Sequence, residues 1–210
     1  DRSRAGSISD DGRYVAFESD ASNLVRGDTN GEQDVFVHDR QSGTTERVSV
    51  NTLGEQGNDD GRKASISADG RYVAFHSYAT NLVSGDTNYD FDVFVHDRQS
   101  GTTERVSISS VGAQGNGHST YSSISADGRY VAFQSGAANL VNGDLRGWED
   151  VFVRDRQSGT TERVSVDSLG AQGNGGSDLP SISADGRYVA FRSVATNLVS
   201  GDTNGFHDAF

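Results

Sequence analysis

Cysteine and methionine are both absent from this chain of 210 residues. Without cysteine the chain forms no disulfides, has no thiolate nucleophile and offers no cysteine-ligated zinc or iron–sulfur site. Because methionine is missing even at position 1, we expect either that a leader or a longer part of the chain has been removed, or that the sequence is a segment.

Basic residues, proline and long apolar runs are scarce. The chain has 18 basic against 30 acidic side chains, a formal charge of −12, one proline and 33% hydrophobic residues. This balance argues against nucleic-acid binding and against docking on an anionic membrane, since both need a basic surface. No apolar run approaches the ~18 residues of a membrane span, so no membrane insertion is expected. With 26 glycines, the composition favours many short strands over a helical bundle.

A repeat of 58 residues organises the whole sequence. The motif SIS-x-DGRYVAF begins at Ser7, Ser65, Ser123 and Ser181, and DRQSGTTERVS follows in the first three copies. Dividing the chain length by this period gives about 3.6 units. We therefore expect units at approximately 1–58, 59–116, 117–174 and 175–210, the last incomplete, within a single region covering residues 1–210.

Each unit is expected to form four antiparallel strands. In the second unit the predicted strands are Ala64–Ser67, Arg71–His76, Asp92–Asp97 and Thr102–Ile108. The dipeptide Asp69-Gly70 predicts a type I′ hairpin between the first two strands. The apolar run at the centre of the second strand predicts a strand that is buried on both faces.

Tandem four-stranded units are typical of β-propeller blades, so we predict an all-β fold, a β-propeller of about 3.6 blades. SISADGRYVAF followed by DVFVHDRQSGTTERVSV resembles the TolB-type, WD40-like propeller repeats of bacterial envelope and secreted proteins. The resemblance covers essentially the whole chain and implies a secreted, extracellular or periplasmic location. The family's usual Pro-Asp-Gly hairpin is Ala-Asp-Gly or Asp-Asp-Gly here. A parallel β-solenoid is the alternative architecture, but two tight hairpins per unit require antiparallel pairing.

The predicted blades have two unlike faces. Turns one–two and three–four are short and nearly identical in every copy, and they form what we call the clipped face. The loop between strands two and three and the link to the next blade are long and variable, and they form the long-loop face. Aromatic and histidine side chains there are candidates for binding a protein or a glycan. These candidates are Tyr89, Phe91, Trp148, Phe206, His207, His118 and Tyr121. The alternative is that the sequences of these loops vary without a functional constraint and that their aromatic residues fold back onto blade edges.

The repeated GDTN loops are candidate calcium sites, because hard oxygen ligands recur there at alternate positions around a glycine turn. The candidate ligands are Asp28, Asn30, Asp34, Asp86, Asn88, Asp92, Asp202, Asn204 and Asp208. In the third unit Arg146 replaces the asparagine. The alternative is that these side chains cap turns by bonding their own backbone. Ca²⁺ is the only cofactor that the sequence suggests.

Catalysis has little support, since no nucleophile elbow, Walker loop, zinc helix motif or dinucleotide fingerprint occurs. We therefore expect a non-catalytic scaffold that binds a protein or a glycan through the long-loop face. The alternatives are a structural repeat unit of an extracellular or cell-surface assembly, and a glycoside hydrolase or lyase built on a propeller. Arg13 and Asp39 recur with counterparts in other copies, which favours a packing role for them.

The fourth unit is expected to leave a strand edge unpaired, because the chain is 22 residues short of four whole repeats, 4 × 58 = 232. Unpaired edges are usually covered in native proteins. We expect either further blades that complete the ring or self-association with another copy.

Overall fold

The computed structural model of the protein describes residues 2–144 and 147–210, with only the backbone described for Ala5. Within these residues the chain forms fifteen β-strands and no helix. No helix that could cross a membrane is therefore found in the described part of the chain. The all-β prediction is confirmed.

The strands form four sheets that follow one another along the chain. The first contains β1 (Ser3–Ile8), β2 (Tyr14–Ser19), β3 (Asp34–Asp39) and β4 (Thr44–Arg47). The second contains β5 (Gly61–Ile66), β6 (Tyr72–Ser77), β7 (Asp92–Asp97) and β8 (Thr102–Arg105). The third contains β9 (Ser119–Ile124), β10 (Tyr130–Ser135), β11 (Asp150–Asp155) and β12 (Thr160–Arg163). The fourth contains β13 (Ser177–Ile182), β14 (Val189–Ser193) and β15 (Asp208–Ala209).

Strand pairing is antiparallel throughout, and each strand pairs with its neighbour in sequence. In the second sheet the third strand has the predicted bounds, and the second strand is buried from Val73 to Ser77. The fourth strand is shorter than predicted and ends at Arg105. Val106 and Ser107, which follow it, are both buried, and Ser107 Oγ donates to the Asp92 carboxylate at 2.5 Å.

The Asp-Gly hairpin differs from the predicted type I′ turn. Only Gly70 has a positive φ, of 72°, whereas a type I′ turn needs two such residues. The N–H of Gly70 donates to the carbonyl of Ser67 at 2.9 Å, which describes a type I turn followed by a left-handed glycine. The Asp69 carboxylate accepts bonds from Ser67 Oγ and the Arg71 N–H, so the aspartate stabilises its turn without leaving the ordinary φ range.

Neighbouring sheets pack through the same side chains at each junction. Phe75 and Phe94 are fully buried in the second sheet, and their rings lie 5.9 Å apart. Ala16 of the first sheet and Ile66 of the second belong to one buried cluster, and the equivalent alanine and isoleucine recur at the next two junctions. The first strand of each sheet contacts the first strand of the next. The result is a partial propeller of between three and four blades, numbered one to four below.

Candidate functional site

Seven repeat positions carry a different residue in each of the four copies, while most of the remaining repeat is identical. We call them the variable positions. They are the positions of residues 2, 5, 6, 18, 20, 32 and 33, with their equivalents 58, 116 and 174 residues further on. In the fold they lie just before and midway along the first strand, at or just after the end of the second strand, and in the loop before the third strand. Most of these places are at the long-loop end of the blades, so the variation is gathered towards that end.

The first strands carry a strained residue at one variable position. Lys63, Tyr121 and Leu179 have φ values of 56°, 51° and 51° at β-bulges in β5, β9 and β13. Such φ values are unusual for residues with large side chains and are stable only when the surroundings hold them. Here each strained N–H donates to a side chain of the preceding blade. The acceptors are Glu18 Oε2 at 2.7 Å, His76 Nδ1 at 3.3 Å and Gln134 Oε1 at 2.9 Å.

The surface around the variable positions at the junction of blades one and two is charged. The side-chain amide of Gln33 donates to Asp20 at 2.9 Å, and its backbone N–H donates to Asp60 at 2.9 Å. Arg62 forms an ion pair with Asp60 at 2.5 Å. The carboxylates of Glu32, Asp59 and Asp60 bring oxygens within 4.8 Å of one another. Because Asp60 is already bound by Arg62 and Gln33, part of this charge is neutralised within the protein.

Aromatic side chains dominate the next part, between blades two and three. The Phe91 ring lies 4.5 Å from that of Tyr78 and 5.2 Å from that of His76, in edge-to-face arrangements. His76 also lies 5.9 Å from the ring of Tyr121. Burial, with the nearby charge of Arg62 as a smaller cause, lowers the pKa of His76 to about 3. The imidazole is therefore neutral at physiological pH, and its Nδ1 accepts a hydrogen bond from the Tyr121 N–H.

The predicted binding aromatics differ in how much they expose. Tyr89 and Phe206 are 76% and 75% exposed, and Trp148 is 41% exposed. Phe91 is half-buried and folds back onto its blade, as in the alternative stated above, because Tyr78 and His76 cover it. Tyr89 has a φ of 54° where the equivalent residues are glycine, so its exposed ring is held on a strained backbone.

Between blades three and four lies a cleft of about 610 Å³ beside Trp148. His118 Nε2 lies 2.7 Å from a Glu149 oxygen, and the Gln134 amide donates to the other oxygen at 2.6 Å. The cleft is lined by Gly147, Trp148, Glu149, Asn174, Gly175, Gly176, Ser177, Asp178, Val194 and His207. Trp148 and His207, predicted separately, thus line one cleft with Glu149, and His118 is joined to this group through its bond to Glu149.

A smaller cavity of about 270 Å³ lies among the first strands of all four blades. Its lining consists almost wholly of side chains at variable positions: Gly6, Glu18, Lys63, Ala64, Tyr121, Ser122, Leu179 and Pro180. Sequence reasoning identified Tyr121 but missed Lys63 and Leu179 as site residues. A column-by-column comparison of the four repeats would have found them, since these positions differ in every copy.

An arginine lies between the aspartates in each of the first two GDTN loops. In the second, Arg105 Nη1 lies 3.3 Å from Asp86 and 3.2 Å from Asp92, so a guanidinium already occupies the space between the two carboxylates. Arg47 does the same with Asp28 and Asp34 in the first loop. Asn30 and Asn88 donate their amides to the neighbouring aspartates. Burial raises the pKa of Asp34 and of Asp86, and the arginines offset this only in part.

The third loop has the same arrangement at longer distances, and the fourth loop differs from it. Arg163 lies 3.6 Å from both Asp144 and Asp150, and Arg146 of this loop lies outside the described residues. In the fourth loop the Asn204 amide donates to Asp208 at 2.9 Å. Within the described part of the chain no arginine pairs with Asp202 or Asp208, so calcium binding at this loop stays a prediction.

The clipped face is held by a repeated ion pair. Arg71 Nε and Nη2 donate to the two oxygens of Asp97 at 2.9 and 2.7 Å, and Arg13–Asp39 and Arg129–Asp155 have the same geometry. The arginine holds the pKa of each aspartate well below its usual range. The recurrent arginine and aspartate side chains, such as Arg13 and Asp39, therefore stabilise the turns of the clipped face.

Comparison with known proteins finds solved structures with a similar fold. No protein-family model and no curated protein matches the sequence. Among solved structures, a putative TolB from Agrobacterium tumefaciens has a TM-score of 0.56 at 20% identity, over 89% of this chain and 52% of that one. TolB from Acinetobacter baumannii has a TM-score of 0.56 at 16% identity, over 100% of this chain and 43% of that one. Pyrococcus horikoshii acylaminoacyl peptidase has a TM-score of 0.51 at 11% identity, over 100% and 32%.

These likenesses confirm the predicted TolB-like propeller fold. The chain spans about half the length of the two TolB proteins, or less. Because the similar structures include a peptidase as well as TolB, the fold leaves open whether this chain is an enzyme.

Proposed function

We propose that this chain is a non-catalytic propeller scaffold that binds a protein or a glycan through the variable positions of its long-loop face. One observation carries the proposal: the residues that differ in all four copies lie together, on blades that are otherwise repeated. A repeated framework with a varied surface is what a rigid binding scaffold requires, because the framework fixes the backbone while the side chains determine the ligand.

The energetic features of the surface support the same function. Exposed aromatic side chains supply large contact areas at small entropic cost, and they dominate the binding energy of many interfaces. Tyr89 and Trp148 are such side chains. The strained N–H groups of the first strands are bonded by side chains of the neighbouring blade, so the surface is preorganised before a ligand arrives.

A glycan is best accommodated by the cleft beside Trp148. The indole offers a flat apolar surface, and Glu149, Asn174 and Asp178 supply acceptors and a donor for hydroxyl groups. The charged and aromatic parts between blades one, two and three offer a broader surface that suits a protein. We further propose that the protein works outside the cytoplasm, in the secreted or periplasmic location that the repeat resemblance implies.

Glycan binding at the cleft is tested on a glycan array with the labelled chain, its Trp148→Ala variant and a Gln99→Ala control on the clipped face. We expect array signals that Trp148→Ala removes and Gln99→Ala keeps. Signals that survive Trp148→Ala would contradict glycan binding at the cleft.

Protein binding through the long-loop face is tested by photo-crosslinking in an extract of the source cells. A benzophenone amino acid is placed at Tyr89 in one sample and at Gln99 in another, and both positions are exposed. We expect discrete crosslinked bands from position 89 alone. Equal crosslinking from both faces, together with an array without signal, would overturn the proposed function.

A further inference from the structure

A glycine just before β13 leaves room for the cleft beside Trp148. Gly176 occupies the repeat position of Asp60 and His118. Asp60 crosses the junction of blades one and two, where it accepts the Gln33 N–H at 2.9 Å, and His118 brings an imidazole to the next junction. A Cβ at Gly176 would lie 3.8 Å from its nearest neighbour, the carbonyl oxygen of Glu149. The cleft therefore arises from a residue difference within the repeat.

The Glu149 carboxylate is held in a fixed position by two side chains of its own blade. Gln134 is 4% exposed, and its Oε1 accepts the Leu179 N–H at 2.9 Å, so its amide nitrogen is the atom that donates to Glu149, at 2.6 Å. His118 Nε2 lies 2.7 Å from the other oxygen, and its ring packs on Gly136, where a Cβ would lie 3.2 Å from Cε1. Because about a third of the Glu149 side chain stays exposed, this carboxylate is preorganised for a ligand.

The charge of Glu149 is not balanced by a lysine or an arginine among the described residues that line the cleft. Gln134 is neutral, and a neutral imidazole orients the carboxylate without adding charge. Asp178, the other carboxylate of the cleft, is paired with Arg192 through two bonds of 2.8 and 2.7 Å. The cleft therefore keeps an unbalanced negative charge beside the indole of Trp148, in a chain with a formal charge of −12.

From this charge and this aromatic ring, we propose that the cleft binds an amino sugar, a glycan unit with a free ammonium group. The inference rests on the proposed binding of a glycan at this cleft. The ammonium donates charge-assisted hydrogen bonds to Glu149, and the face of the Trp148 indole attracts the same cation. An N-acetylated sugar has no cation to offer, and a uronic acid brings a carboxylate that Glu149 repels. Glu149 thus selects the class of sugar that Trp148 stacks against.

Isothermal titration calorimetry with two matched probes tests the proposal. The trimer of glucosamine and the trimer of N-acetylglucosamine have the same rings and linkages, and they differ only in acetylation of the amine. We expect the wild type to bind the glucosamine trimer about tenfold more tightly at neutral pH, because hydrogen bonds to charged groups exceed neutral ones by a factor of about this size. Trp148→Ala should abolish measurable binding of both trimers.

Two variants that remove one negative charge locate the preference. Glu149→Gln keeps the shape of the side chain and removes its charge, so it should bind the two trimers with nearly equal affinity. Glu162→Gln removes the same charge from an exposed position on β12 that does not line the cleft, so it should keep the wild-type preference. Circular dichroism checks that each variant is folded as the wild type is.

Equal or tighter binding of the N-acetylglucosamine trimer by the wild type would overturn the proposal. So would equal losses of preference in Glu149→Gln and Glu162→Gln, since they would trace the preference to the overall charge of the chain. If neither trimer binds while the glycan array gives signals that depend on Trp148, the amino-sugar proposal fails and glycan binding at the cleft stands. A silent array together with equal crosslinking from both faces overturns the proposed function itself, and the amino-sugar proposal with it.

Discussion

The two faces of each blade are built from the same strands but obey different constraints. On the clipped face, Arg71, Asp97 and the Asp69 turn recur with the same bonds in neighbouring blades, to within about 0.1 Å for the arginine–aspartate pair. On the long-loop face, the residues at the ends of those strands differ from copy to copy, and each junction has its own chemistry: charged, aromatic or polar.

The difference shows how the blade separates stability from recognition. Every blade reuses one set of turn bonds and one buried cluster, which hold the strands whatever occupies the far end. The variable side chains bond mainly to one another and to strained N–H groups, so exchanging them alters the surface and leaves the core unchanged.

The largest effect is expected from a pair of glycines with nearly the same φ. Gly128 (72°) is on the clipped face, where an added Cβ would lie 2.1 Å from the Tyr72 ring, and Gly85 (75°) is on the long-loop face with open space around it. Gly85→Ala should cost about 1–2 kcal/mol of unfolding free energy through backbone strain alone. Gly128→Ala should cost about 2–5 kcal/mol, because overpacking adds to that strain.

Urea unfolding of both variants measures this difference. Equal losses of unfolding free energy would show that Tyr72 moves aside freely and that the clipped face is less constrained than its geometry indicates.

Acid should distinguish the two faces by the sign of the pKa shifts. Arg71 lowers the pKa of Asp97, so the stability that this group adds is complete above its unfolded pKa of about 3.9 and is lost as the pH falls towards the folded value. Burial, then the charge of Asp92, raises the pKa of Asp86, so its contribution is present at low pH and is lost as pH rises through the raised value.

Melting temperatures between acid and neutral pH test both groups. Asp97→Asn should melt lower than the wild type at neutral pH and approach it in acid. Asp86→Asn should show a steeper loss in acid than the wild type, because it lacks the group that favours folding there. Parallel curves for all three proteins would contradict this assignment of the two aspartates.

A smaller effect is expected at Tyr89, where an exposed ring is held on a strained backbone that lowers the free energy of unfolding. Tyr89→Gly should raise the unfolding free energy by up to about 1 kcal/mol, since glycine takes a φ of 54° without strain. Gly31→Tyr, at the equivalent position of blade one, should lower it by a similar amount. If Tyr89→Gly is less stable than the wild type, the tyrosine ring contributes packing that outweighs its backbone strain.

Calcium should have the smallest effect. Because Arg47 and Arg105 lie between the carboxylates of their loops, millimolar Ca²⁺ or a chelator should leave the melting temperature unchanged at these two sites. Only the fourth loop retains carboxylates without an arginine in the described residues. A rise in melting temperature with Ca²⁺ that Asp202→Ala abolishes would locate an ion there, and a rise that Asp86→Ala abolishes would contradict the arginine assignment.

The period and the turn residues were enough to predict much of the architecture. Fifty-eight-residue units, four antiparallel strands and the separation into two unlike faces all follow from local patterns, because strand alternation and glycine turns are properties of short segments. The bounds of β7 were predicted correctly. The type of the Asp69-Gly70 turn was not, because Asp69 is held by bonds from Ser67 and Arg71 that only the folded turn brings together.

The sequence by itself determined the repeat, the propeller fold and the face on which variation occurs. Only the tertiary structure decided what those residues do. It placed Arg105, thirteen residues beyond Asp92, between the carboxylates that looked like calcium ligands, and it covered Phe91 with Tyr78 and His76. It also joined His76 to Tyr121, 45 residues away and in the next blade. Such contacts depend on the packing of separate blades against one another, which local sequence patterns do not encode.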